Sequence, residues 1–371
     1  TVVNDNGLEF ATTTVGGDLH ATATAGNIIQ SGALDIEGTT TLITATSNAD
    51  IILGTASNAF TGEVTLNTTG STGHATLNSG TTALQLGTYS ATTTATSVGG
   101  NLAITAGAAV TDLDALTVGG TTTISAVGVD VTLNSAANDF QGAVAIDGAN
   151  VTVVDANDII LGTSTVTGTT TGYDITATGG GVTQSSGTAL TVRGVTTISA
   201  GGNVTLDTAA NDFQAAVAID GVSVTVVDAG AIELGTSTVT GNYAVTATAG
   251  GDITNSGVLT ITGTAIFTAA GGQSITLGSN NTFDDTSNAG ATDAAVTFAA
   301  VSGNLKNVTI KDSDEFDLAA LTLSGNLIVT SSGGSITDSG ALAISGTSSF
   351  TTSTSNEDIT LNTTTNAFTE A

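Results

Sequence analysis

Apolar and polar positions alternate along this chain in short runs. Val131-Thr-Leu133 and Val151-Thr-Val153 are typical, with Thr between β-branched or branched apolar residues. A period of two with this composition predicts strands. In one stretch the apolar runs fall at Ala244–Val245, Ile253, Leu259–Ile261, Ile266–Phe267 and Ile275–Leu277. Gly, Asn, Asp and Ser fill the intervals, and these are the turn formers. No window carries a helical stripe at i, i+3 and i+4 with charged flanks. Strands so short and so closely spaced form either hairpins or a parallel coil. Two-residue hairpins favour Asn-Gly and Asp-Gly turns, and only Asn6-Gly7, Asp147-Gly148, Asp220-Gly221 and a few others offer them. The pattern therefore predicts an all-β parallel β-helix (a β-solenoid). It should have about three strands per coil and about 15–17 coils.

Internal repetition supports the coil. Residues 131–168 and 204–241 match at 30 of 38 positions. Weaker copies carry an Asn-x-Phe marker whose aromatic residues are Phe60, Phe140, Phe213, Phe283 and Phe368. A second marker opens a Thr-rich strand at Leu19, Leu102, Tyr173, Tyr243 and Leu327. A Ser-Gly turn lies between the two markers at Ser31-Gly32, Ser186-Gly187, Ser256-Gly257 and Ser339-Gly340, and the second copy lacks it. The domain reading is one continuous solenoid over residues 1–371. Its imperfect units of about 70–85 residues start near 19, 102, 173, 243 and 327. Residues 1–19 align without gaps on 225–243, so the chain starts in mid-unit and stops just past an Asn-x-Phe. That reads as a segment of a longer array.

Composition narrows the function. There is no Cys, Pro, Met or Trp. Disulfide frameworks, thiolate metal sites and cysteine nucleophiles are thereby excluded. Proline's absence suits a chain in which most backbone N–H groups donate to a ladder. Acidic residues number 32 against 3 Lys plus Arg, a net charge of −29. Nucleic-acid binding needs a basic surface, so nucleic acid is not an expected partner. No apolar run approaches the roughly 18 residues of a membrane helix, so no membrane insertion is expected.

The strings ISAGGNVTLDTAANDF (198–213) and ITNSGVLTITGTAIFTAAGG (253–272) resemble the repeat regions of large bacterial exoproteins of the filamentous-haemagglutinin and autotransporter-adhesin type. The resemblance covers essentially the whole chain. It implies a right-handed parallel β-helix displayed at, or released from, a bacterial cell surface.

Candidate chemistry is sparse. His20 and His74 have no partner at metal-ligand spacing, and both read as structural. Arg193, Lys306 and Lys311 are dispersed, so no groove pairing carboxylates with cations can be assembled. No catalytic residue and no cofactor-binding residue is expected, and the chain reads as a non-enzyme. Two acidic clusters supply candidate Ca2+ ligands: Asp284, Asp285 and Asp293, and Asp312, Asp314 and Asp317. Ca2+ is the one candidate cofactor. The Phe series reads as core, while Tyr89, Tyr173 and Tyr243 are candidate sugar-stacking faces. The expected function is structural: a rod, fibre or sheath segment on the bacterial surface, its partner a further copy of itself, end to end or side by side. The alternative is an adhesin stalk whose variable loops bind a host or matrix surface.

Overall fold

The computed structural model describes residues 1–87, 95–283 and 296–370. The chain is an all-β, right-handed parallel β-solenoid of about 16 turns. Among the described residues there is no helix. Two compact units, Thr1–Gly194 and Val195–Ala371, share this architecture.

In the first unit the chain climbs by parallel pairing of each strand with its counterpart one coil later. Ile51–Leu53, Ala75–Asn78, Leu102–Thr105, Thr122–Ser125 and Val144–Gly148 stack in register, each on the next. On another face Val110–Asp112, Val131–Leu133, Val151–Asp155 and Tyr173–Ala177 do the same. The second unit repeats the arrangement: Val204–Leu206, Val224–Asp228, Tyr243–Ala247, Ala265–Ala269 and Val296–Ala300 form one stack. Each strand presents alternate residues inward. Tyr173, Ile175 and Ala177 are buried, whereas Asp174 and Thr176 face out. Stacking therefore places like over like. Leu77, Ile104, Ile124 and Ile146 form one inward column. Thr111, Thr132 and Thr152 form an outward one.

The sequence unit is not a whole number of identical coils. The five-residue strand Val64–Thr68 meets two short strands of the next coil. Val64 pairs with Leu86, while Asn67 and Thr68 pair with Ser97 and Val98. Val144–Gly148 divides in the same way over Leu161 and over Thr165 and Val166. In the second unit Val217–Gly221 divides over Leu234 and over Thr238 and Val239. At these three places one face becomes a corner with a strand on either side.

Insertions do not break the ladder. Stacked neighbours are commonly 20 to 24 residues apart, yet Asn67 and Ser97 are 30 apart. Ser274 and Asn307 are 33 apart and still stack. The strands on either side stay parallel and paired: Asn67 with Ser97, and Ile275–Leu277 with Val308–Ile310 ahead of a register shift at Asn281.

Candidate functional site

Polar side chains that carry chemistry fall into three repeating arrangements, each tying one coil to its neighbour. The first is a buried bracket at the Asn of each Asn-x-Phe marker. Asn58, Asn138, Asn211 and Asn281 are buried. The carbonyl oxygen of Asn58 accepts the Leu34 backbone N–H at 2.9 Å, and Asn138 accepts that of Leu116 at 2.8 Å. In the second unit Asn281 accepts from Leu259 at 3.0 Å and Asn366 from Leu342 at 2.9 Å. The amide also meets a polar side chain of the same earlier coil. Asn58 exchanges two hydrogen bonds with Gln30, at 2.8 and 2.9 Å. Asn138 donates to Asp112 at 2.7 Å, and Asn366 to Asp338 at 2.6 Å. Asn281 accepts from Asn255 at 2.8 Å. These partners stand 26 to 28 residues before the marker. A buried amide with both ends satisfied costs little, whereas an orphaned one is expensive, so the bracket fixes the spacing of the coils it joins.

The second arrangement lies inside. Asp155 and Asp228 are buried, at 0% and 1% exposure. Each takes the backbone N–H of the marker Phe below it, Phe140 and Phe213, at 2.8 Å. The other oxygen accepts a backbone N–H two residues on, from Asn157 or Gly230, at 2.6 Å. Burial holds both carboxyls above the usual carboxylate range. The two backbone donors oppose this, and the neighbouring charges of Asp139 and Asp158, or of Asp212, add to it.

The third arrangement is a column of acceptors at the corner before a strand. Asn27 accepts the N–H of Asp50 at 2.9 Å, and Asp50 that of His74 at 2.8 Å. His74 Nδ1 then accepts from Asn101 at 2.8 Å, and Asn101 from Thr121 at 2.9 Å. His74 is thus one rung of an Asn/Asp column and is structural, as its sequence context indicates. His20 lies half-buried on Leu19–Ala23, in register with Thr41.

The remaining sequence markers sort as follows. Phe60, Phe140, Phe213 and Phe283 are core, each at 2% exposure or less. Phe368 is the exception at 42%, packed edge-on against Phe350 with centroids 6.1 Å apart. Phe267 joins Tyr243, Phe283 and Phe298 in an aromatic cluster within the second unit. Tyr173 and Tyr243 do not offer sugar-stacking faces: they point inward, fully covered, and burial pushes both phenols up. Tyr89 lies outside the described residues.

Of the candidate Ca2+ ligands, Asp284, Asp285 and Asp293 lie outside the described residues. The others point apart. Asp312 is buried, and its carboxylate accepts the Asp314 N–H at 3.1 Å. Asp314 sits on the exposed turn and takes the Ser313 hydroxyl at 3.2 Å. Asp317 faces out from Phe316–Leu318 and takes the hydroxyls of Thr337 and Ser339. Among the described residues no three His, Asp or Glu side chains converge as a metal site would require, and no helix is long and apolar enough to cross a membrane.

Sequence reading missed the bracket's second half. Gln30, Asn255 and Asp338 each directly precede a Ser-Gly turn, and Asp112 holds the same place in the copy without one. A polar residue ending an Ile-Ile, Ile-Thr or Val-Thr run was the available signal.

A family model described as "Repeats of unknown function (DUF5649)" matches the chain at residues 1–67, 72–147, 148–220, 221–290 and 305–371. No curated protein and no solved structure matches it.

Proposed function

The chain belongs to the DUF5649 repeat family, and we propose that its role is structural: a solenoid segment of an extracellular bacterial fibre, sheath or stalk, without enzymatic activity. The observation that carries this reading is where the polar chemistry goes. The marker Asn residues, the buried Asp residues and one of the two histidines all hold one coil to the next. The apolar residues do the same in the core. Such a ladder resists stretching and proteolysis because opening one coil breaks many backbone hydrogen bonds at once. Further copies of the chain are the proposed partner, joined end to end by strand addition or side by side. Ca2+ is a proposed modulator, acting at acidic turns such as the one around Asp314.

The adhesin reading has one observation in its favour. The spacing between stacked neighbours lengthens from 20 to 33 residues while parallel pairing continues, and loops that vary on a constant scaffold are where binding develops.

Electron microscopy of the purified chain, with and without Ca2+, tests the proposal alongside binding assays on glycan and matrix-protein arrays. Filaments or lateral bundles with no array binding support the structural role. Unassociated particles that bind one array component specifically overturn it in favour of the adhesin.

A further inference from the structure

Asp155 and Asp228 share one buried arrangement: each carboxylate joins the backbone N–H of a marker Phe to a turn N–H of its own coil. Each lies at the end of a five-residue strand, Val151–Asp155 and Val224–Asp228, with its side chain turned inward. Both oxygens of each are engaged by backbone N–H groups. On the strand above, Ala177 stacks over Asp155 and Ala247 over Asp228. The titratable residues of those strands are Tyr173, Asp174 and Tyr243. The two tyrosines stack over Val151 and Val224 at the far ends of the strands, and Asp174 faces out over Thr152. The charges that face Asp155 are Asp139 from the coil below and Asp158 from its own turn, and the one that faces Asp228 is Asp212 from the coil below. A buried carboxylate among like charges is carried at a cost whenever it is ionised.

We propose that Asp155 and Asp228 are proton-binding posts, one in each unit, that make the solenoid hold its coils more firmly as its surroundings turn acid. Their placement is the same in two repeats, at the junction of marker Phe, bracket Asn and next coil, where a gain is felt by both coils. Protonation removes the buried charge and still leaves the carbonyl oxygen to accept one backbone N–H. Both carboxyls are held above the usual carboxylate range, so the folded chain binds these protons more tightly than the unfolded chain. The stability they confer is therefore fully present below the ordinary value of 3.8 and is lost as pH rises through the raised folded values. That direction opposes ordinary acid denaturation, in which paired carboxylates lose stabilising partners.

The sequence holds a natural variant of the post. Asn4 aligns with Asp228 and makes the same turn, accepting the N–H of Asn6 at 3.2 Å. Asp155→Asn with Asp228→Asn is therefore the test substitution. Glu9→Gln with Glu233→Gln, which removes equal charge from exposed positions, is the control. The urea midpoint of the wild-type chain is measured between pH 7 and pH 4.5. The wild type is expected to gain stability on acidification, the control to keep that gain, and the Asp→Asn pair to lose about half of it or more. A wild-type midpoint that falls on acidification overturns the proposal, as do equal gains in the Asp→Asn pair and the control. Carboxyl-carbon NMR titration of the wild type reads the same point should the variant not fold. Burial also raises Asp174, so the titration is assigned by residue: Asp155 and Asp228 titrating above the exposed carboxyls support the posts, and either one titrating with the exposed carboxyls overturns them.

Discussion

Asn138 illustrates what a single residue does in this molecule. Its amide joins the Leu116 N–H to the Asp112 carboxylate within a sealed core. Asn138→Ala leaves the Leu116 N–H unpartnered and takes one of three donors from Asp112, which keeps the N–H groups of Asn134 and Ser135, and a loss of about 1–3 kcal/mol is expected from urea unfolding. His74 makes the opposite case, because Asn27 and Asn101 perform the same task in its column. His74→Asn should leave stability within about 0.5 kcal/mol of wild type, while His74→Ala should cost about 1 kcal/mol. The inward hydroxyls of Thr40, Thr122 and Thr196 are a third kind of residue. They are buried at equivalent strand starts and have no hydrogen-bond partner, and Ala265 fills the same place in a later repeat. Thr122→Val should raise stability by about 1 kcal/mol, since an unpaired hydroxyl is exchanged for a methyl of similar shape. At this scale the sequence revealed the Asn-x-Phe markers but not their work. The partner of each amide lies 26 to 28 residues away, and only stacking brings the two together. The buried Asp residues were hidden for the same reason: Asp155 and Asp228 read locally as turn acids like any other.

Strands and their faces were largely legible, because period-two alternation and turn residues are local signals. Tyr173 and Tyr243 misled because tyrosine is common at binding surfaces, whereas here each opens a strand with its ring inward. The splitting of one strand over two, as at Val64–Thr68, was not legible, since nothing local distinguishes that strand from its neighbours. The Ser-Gly turns have a clear physical origin in the fold. Ser31 and Gly32 both donate to the Phe10 carbonyl, Ser256 and Gly257 to Leu234, and Ser339 and Gly340 to Leu318. A methyl group on Gly32, Gly257 or Gly340 would collide with the backbone nitrogen of Thr12, Thr236 or Ala320. Gly257→Ala should therefore destabilise by about 2 kcal/mol or more. Gly54→Ala meets open space and should be silent. Thermal unfolding of the two variants side by side checks the contrast.

For the molecule as a whole, a net charge of −29 opposes compaction at neutral pH. Raising salt from about 10 mM to about 150 mM should raise the unfolding midpoint, because screening shortens the reach of that repulsion. The central claim is the in-register parallel stack, since the brackets, posts and corner columns all depend on it. Absence of cysteine lets it be tested without background. Cysteine pairs placed at Thr111 and Thr132, or Thr132 and Thr152, occupy adjacent outward rungs of the first unit. Thr254 with Thr276, and Thr276 with Thr309, do so in the second. Adjacent rungs are about 4.8 Å apart, within reach of a disulfide or a short bismaleimide. The measurement is the cross-linking yield of each pair against pairs displaced by one residue, such as Thr132 with Val151, which face opposite ways. High yield for the adjacent rungs and little for the displaced pairs is the expected result. Equal yields, or preference for the displaced pairs, would contradict the stack and everything built on it.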